Sequence, residues 1–151
     1  MRYTYEYPRP ALTTDAVVFD NSGKELKVLL IQRKKSPFQG YWAFPGGFVE
    51  MNETLETCAA RELKEETGLK DIQLHQFHTF GEVDRDPRGR TVSVVYYGFT
   101  KTGQQSIEAD DDAMAAQWFP ISYLPKLAFD HHKILNKLLD HIDNKKNSKS
   151  D

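Results

Sequence analysis

Gly47 to Leu69 reads GFVEMNETLETCAARELKEETGL, and this stretch decides how the rest of the chain is read. Thr54 to Thr67 reads as a helix, stopped by Gly68, a suitable residue just past a helix end. On a wheel of about 100° per residue, Leu55, Cys58 and Ala59 form an apolar stripe. Glu62, Glu65 and Glu66 fall in a sector that overlaps the same stripe. The helix is thus apolar at its start and acidic at its end, on one side. That arrangement is costly by itself. Glu62 and Glu66 are like charges four residues apart, and all three acids sit toward the end where the helix dipole disfavours anions. If the face is even partly buried, unpaired carboxylates cost far more. Either a lysine or arginine network or a solvated edge relieves the charge, or a divalent metal does. Carboxylate oxygens suit hard Mg²⁺, and no Cys/His cluster is present to favour zinc. Just upstream, Gly46 and Gly47 let backbone pass close to a ligand. Glu53 lies near the helix start, where Arg61 can pair with it and brace the loop against the helix.

Upstream, Ala11 to Phe19 reads as a strand ended by the turn Asp20-Asn21-Ser22-Gly23. Lys27 to Arg33 is a second strand whose continuous apolar centre implies burial on both faces, and a hairpin joins the two. Pro37 to Gly40 breaks the chain before Tyr41-Trp42-Ala43-Phe44 and the turn Pro45-Gly46-Gly47. Downstream, Ile72 to Phe80 and Thr91 to Thr100 are strand-like and flank a polar loop, Gly81 to Arg90. An acidic loop, Glu108 to Asp112, precedes a short strand ending Gln117-Trp118-Phe119. His131 to Ile142 reads as a helix with Ile134, Leu135, Leu138, Leu139 and Ile142 on one stripe. The fold class is α/β, a mixed β-sheet between α-helices. Residues 1–10 are expected as an extended arm with Tyr3, Tyr5 and Tyr7 on one aromatic face. Residues 11–143 form the domain, and 144–151 a disordered polar tail.

The chain has 151 residues, one domain's worth. It is 39% hydrophobic and 28% charged, an ordinary globular mix. Twenty basic against 22 acidic residues leave a net charge of −2. That balance gives no global pull toward nucleic acid or membrane, so neither is expected as a partner. The single cysteine, Cys58, cannot form an intrachain disulfide, which fits a reducing compartment. The first ten residues have no signal-peptide core, and no apolar run has spanning length. A cytoplasmic location is expected.

Gly47, Glu53, Arg61, Glu62, Leu63, Glu65, Glu66, Gly68 and Leu69 fill every fixed position of G-x5-E-x7-R-E-U-x-E-E-x-G-U, with U a bulky aliphatic. The segment resembles the Nudix box, and the order of strands and helices around it is similar to a Nudix domain. The resemblance implies the Nudix fold and a hydrolase that cuts a diphosphate linked to another moiety, using Mg²⁺ or Mn²⁺. It implies Glu62, Glu65 and Glu66 as metal ligands, with the Gly46 carbonyl as an addition, and Glu53 and Arg61 as supporting residues. The chemistry agrees, because metal neutralises a polyanion that otherwise repels a nucleophile. The base for the attacking water comes from the box or from a distant loop. Here the loop candidates are Glu108, Asp110, Asp111 and Asp112, against a solvated acidic loop.

Arg85, Arg88 and Arg90 place three cations on DRDPRGR, directly before a strand. Arginine forks fit phosphate oxygens, although pairing with Asp84 and Asp86 also explains them. RDPRGRTVSVVY together with WAFPGGFVE resembles the ADP-ribose pyrophosphatase branch, and the eighteen residues from Leu69 to Pro87 approximate that branch's spacing. The implied reaction is ADP-ribose to AMP and ribose 5-phosphate. For the adenine, Trp42, Phe19, Phe38 and the N-terminal tyrosines are candidate π-faces, against a core or interface role for each. His131 and His132 read as helix-start residues. WAFPGGFV also resembles Nudix regulators that sense ADP-ribose and carry a winged helix, a reading that the length disfavours. A sanitising nucleotide hydrolase is the remaining alternative, and family analogy leads us to expect a homodimer.

Overall fold

The computed structural model describes residues 2–107 and 115–149. Among the described residues, seven strands form one mixed sheet with helices on both faces: β1 (Ala11–Asp20), β2 (Lys27–Gln32), β3 (Trp42–Ala43), β4 (Gly46–Phe48), β5 (His75–Phe80), β6 (Thr91–Phe99) and β7 (Ala115–Pro120). The helices are α1 (Leu55–Thr67) and α2 (His131–Lys149). The main path runs β3-β2-β1-β6-β5, with β4 on β1 and β7 on β2. β1 runs parallel to β6 in register from Ala11 opposite Thr91 to Phe19 opposite Phe99. The other strand pairs are antiparallel.

The apolar runs Ala16–Phe19 of β1 and Val28–Ile31 of β2 are buried because both faces of these strands are covered. Val17, Phe19, Val28 and Leu30 pack with Ile134, Leu135 and Leu138 of α2. Ala16, Val18 and Leu29 pack on the opposite face with Leu63 and Leu69. Alternation along β1 therefore serves two helices at once, as strands buried on both sides do.

Several element ends differ from the sequence expectation. β5 begins at His75 because Asp71 turns the chain at φ 60, and Ile72 and Leu74 are spent packing beneath α1. α2 continues to Lys149, so residues 144–149, expected as a disordered tail, are helical here. Lys145 Nζ anchors that extension by donating to the Tyr97 hydroxyl at 3.2 Å. Residues 2–10 form no strand, and Tyr3, Tyr5 and Tyr7 are exposed. Among the described residues no helix is long and apolar enough to cross a membrane.

Candidate functional site

The site grows from the β4–α1 loop. Thr54 caps α1, its Oγ1 accepting from Thr57 N at 3.1 Å, and Gly68 closes the helix in the left-handed region at φ 78. Cys58, Ala59, Leu63 and Thr67 anchor one side of α1 in the core. The Cys58 thiol is pushed up to about 11, chiefly by burial, which leaves it unreactive. Arg61 closes the brace between loop and helix: Nη2 reaches Glu53 Oε1 at 2.7 Å and Nε reaches Oε2 at 2.9 Å. That fork holds Glu53 down at about 2. Arg61 Nη1 also donates to Glu62 at 2.9 Å and to Glu65 at 3.2 Å.

Glu66 stands apart from this network. Its Oε2 accepts from Gly46 N at 2.9 Å. Burial first, then the Glu62 carboxylate, pushes Glu66 up to about 9, and burial also raises Glu62. One guanidinium thus hydrogen-bonds Glu53, Glu62 and Glu65, while Glu66 has a single backbone N–H. Among the described residues no three acidic, histidine or cysteine side chains are gathered into a metal cage. Arg61 draws Glu62 and Glu65 to one side, and Gly46 holds Glu66 on the other. The donor set still fits a hard divalent cation, being all oxygen and short of positive charge. Gly47 is part of that fit: a Cβ there would lie 2.6 Å from Glu62 Oε1.

Beside Glu66 opens a cleft of about 100 Å³, continuous with solvent, lined by β1, β4, the 81–90 loop and the start of α2. Asp15, Gly46, Glu66, Arg85, Arg88 and Phe129 are among its walls. Arg85 is only 4% exposed and forks onto Asp130, with Nη2 to Oδ1 at 2.8 Å and Nε to Oδ2 at 2.9 Å. Its Nη1 donates to Ser93 Oγ at 2.7 Å. Arg88 pairs with buried Asp86, Nη2 to Oδ2 at 2.8 Å. These two arginines face the cleft, but each is already held by a carboxylate. Arg90 does not face it: Nη1 donates to Gly81 O at 2.8 Å and also to Glu82 O, which ties the loop. Trp42 does not either, its indole lying edge-on to Phe119 at 4.8 Å. Phe19 is core, against Phe99, and Phe38 packs edge-on to Phe129. Glu108, Asp110, Asp111 and Asp112 lie outside the described residues. Their downstream neighbour Ala115 pairs with Gln32, one residue before Arg33 of the cleft wall.

Among the residues lining the cleft that sequence reasoning missed are Asp15, Arg33, Phe129 and His131. Asp15 lies inside an apolar-looking strand and is 7% exposed; burial pushes it up to about 7. The sequence does hint at it, as a lone acid in a buried run. His131 does more than open α2. It is buried, its Nδ1 accepts from Phe44 N at 3.2 Å, and its ring stacks on Phe44 at 4.7 Å. Burial lowers it from 6.5 to about 3. The unfolded chain therefore takes up this proton at a higher pH than the folded one. His131 costs no stability above about 6.5, and stability falls as pH drops from there toward 3. The slope from this residue approaches about 1.4 kcal/mol per pH unit. Asp15 and Glu66, both raised by burial, slope the other way, so the check is the difference between wild type and His131→Asn in urea titrations across that range: the variant should lose less stability as pH falls.

The sequence model of the NUDIX domain matches residues 9–141. The chain belongs to the Nudix family. This Nudix chain is 44% identical over 129 residues to the ADP-ribose pyrophosphatase of Methanocaldococcus jannaschii, covering 85% of this chain and 73% of that protein. It is 38% identical over 146 residues to the ADPR responsive transcriptional repressor NtrR of Acinetobacter baylyi, covering 93% of this chain and 57% of the repressor. In structure it is similar to the NUDIX domain of Shewanella oneidensis NrtR complexed with ADP ribose, with TM-score 0.83, 33% identity and 90% of each chain covered. The α/β Nudix fold expected from the box is the fold observed. Within that frame a Cβ at Gly47 would push the end of the Glu62 side chain out of its place. Gly47→Ala should displace Glu62 and lower kcat at least about tenfold, since misplacements near 1 Å cost up to 10²-fold. An unchanged thermal midpoint with that loss separates the effect from misfolding.

Proposed function

We propose that this Nudix protein hydrolyses ADP-ribose to AMP and ribose 5-phosphate with Mg²⁺ or Mn²⁺. The observation that carries the reading is the cleft itself. It sets Glu66 of the box helix beside two guanidinia, Arg85 and Arg88, whose planes Asp130 and Asp86 fix. A diphosphate is the ligand that this juxtaposition suits: acids on one side to hold metal, preoriented forks on the other to hold phosphate oxygens. Glu62, Glu65 and Glu66 would hold the metal, with the Gly46 carbonyl as an addition. The metal would neutralise phosphate charge and acidify a bound water. Arg61 and Glu53 position the loop and helix. Arg85 and Arg88 orient the diphosphate while water attacks phosphorus, the P–O–P bridge breaks and the leaving phosphate takes the bridging oxygen. An acid of the box, or one of Glu108, Asp110, Asp111 and Asp112, accepts the water's proton.

The relative named as an ADP-ribose pyrophosphatase supports this reading, as does the neighbour solved with ADP ribose. The test is a substrate panel with Mg²⁺ and Mn²⁺, with and without chelator. ADP-ribose should turn over fastest, and only with metal. Rapid turnover of an oxidised nucleoside triphosphate or a dinucleoside polyphosphate, with ADP-ribose untouched, overturns it.

A second reading is a sensor that binds ADP-ribose without cutting it. The likeness to an ADPR responsive repressor favours it, and so does the way Arg61 occupies two of the three box glutamates. Calorimetry showing tight ADP-ribose binding with no turnover in Mg²⁺ or Mn²⁺ would establish it. The exposed tyrosine arm is proposed to serve a homodimer, which light scattering of the full chain checks.

A further inference from the structure

Of the aromatic candidates for a nucleobase that were legible in sequence, none of the three inside the domain, Phe19, Phe38 and Trp42, lines the cleft. Three other phenylalanines do: Phe44, Phe48 and Phe129. Their availability differs. Phe44 is 2% exposed, and the His131 ring covers its face at 4.7 Å. Phe129 meets the Arg33 guanidinium at 4.8 Å, the Arg88 guanidinium at 5.0 Å and the edge of Phe38 at 5.0 Å. Phe48 is different, at 48% exposed while still lining the cleft. The Arg88 guanidinium lies over its ring at 5.1 Å.

Two details make this exposed ring a built feature. Arg88 is held in place by Asp86, through Nε at 3.1 Å and Nη2 at 2.8 Å, and by its own backbone N–H to Oδ1 at 2.9 Å. The cation on Phe48 is therefore fixed, and it fixes the ring in turn. Phe48 also follows Gly46 and Gly47, the residues that meet Glu66 and Glu62. Phe48 and Glu66 line the same cleft, so the ring and a box acid face one ligand space. A half-exposed phenyl with a pinned cation on one side offers its other side to a flat, electron-rich ring.

We propose that Phe48, held by the Asp86-fixed guanidinium of Arg88, is the platform for the nucleobase of the bound nucleotide. This rests on the reading of the cleft as a nucleoside diphosphate site, and it deepens that reading. The base stacks at the mouth, the diphosphate lies between Glu66 and the arginines, and the far sugar extends beyond it. Phe48 then sets preference for a nucleotide over a diphosphate that carries no base.

The experiment compares wild type, Phe48→Ala, Phe48→Leu and Phe48→Trp by calorimetry with AMP and, separately, with ribose 5-phosphate. Phe48→Ala should weaken AMP roughly tenfold to a hundredfold, the range that one base–aromatic stack supplies. Phe48→Leu should weaken it as well. Phe48→Trp should retain AMP and show quenching of the new indole when AMP binds. Ribose 5-phosphate should bind equally to all four. AMP affinity unchanged in Phe48→Ala overturns the platform, as does equal weakening for both ligands. Loss of self-association in Phe48→Ala with AMP affinity intact overturns it too, and gives the ring to a second copy of the chain. Turnover of ADP-ribose by wild type is read independently, so a failed platform and a failed hydrolase reading give different results.

Discussion

Glu66→Gln is expected to lower kcat for ADP-ribose by roughly 10²–10³-fold, the scale of losing one preorganised charge-stabilising group. The amide keeps an oxygen that can accept from Gly46 N, so the loop stays in place. What disappears is the negative charge. Glu66 is buried beside the like charges of Glu62, Asp15 and Glu65, so its ionised form is a burden on the metal-free protein. The variant should therefore be inactive and no less stable than wild type. Mg²⁺ or Mn²⁺ should raise the thermal midpoint of wild type and raise that of Glu66→Gln much less. An active variant sinks the metal site. An inactive one that still gains the full metal-dependent stabilisation places Glu66 in another role.

Arg85→Ala is expected to destabilise the fold by about 3–5 kcal/mol, the cost of breaking a buried pair by removing one partner. Asp130 then loses both arms of its fork, beside the neutral ring of His131. Ser93 loses the same guanidinium. Arg85→Lys should recover only part of the loss, because one ammonium cannot make the two parallel bonds. The double variant Arg85→Ala/Asp130→Ala should be more stable than Arg85→Ala alone. Urea unfolding of the four proteins measures this directly. A cost below about 1 kcal/mol for Arg85→Ala would put the pair in the class of solvated surface bridges.

The box helix was legible to within one residue, Thr54 turning out to cap it. Its glycine stop and its mixed apolar and acidic side are local signals, each within a turn or two of its partner. The double-sided burial of β2 was legible too, because its continuous apolar centre leaves few other options. The cleft was not. Arg85 reads as one of three equivalent loop cations until Asp130, 45 residues on, takes it. Arg90 looks the same in sequence and ends up holding loop carbonyls. Asp15 and His131 are adjacent only because β1 lies beside the start of α2. The base platform was missed for a related reason. Exposure decides which phenylalanine is free, and exposure is a property of the packed molecule.

The parallel ladder between β1 and β6 also bears on how the protein acquires its shape. Thr13 and Ser93 meet in that ladder across 80 residues of chain, through a buried hydroxyl pair. Contacts so distant along the chain demand a long loop closure before they return any free energy, and they slow folding. α1 can form early from its own turns. Ser93 and Arg85 reach β1 only when that loop closes. A chain with the box helix formed and the ladder unmade carries half of the cleft, so competence for ligand should appear in refolding only with the last, slowest step.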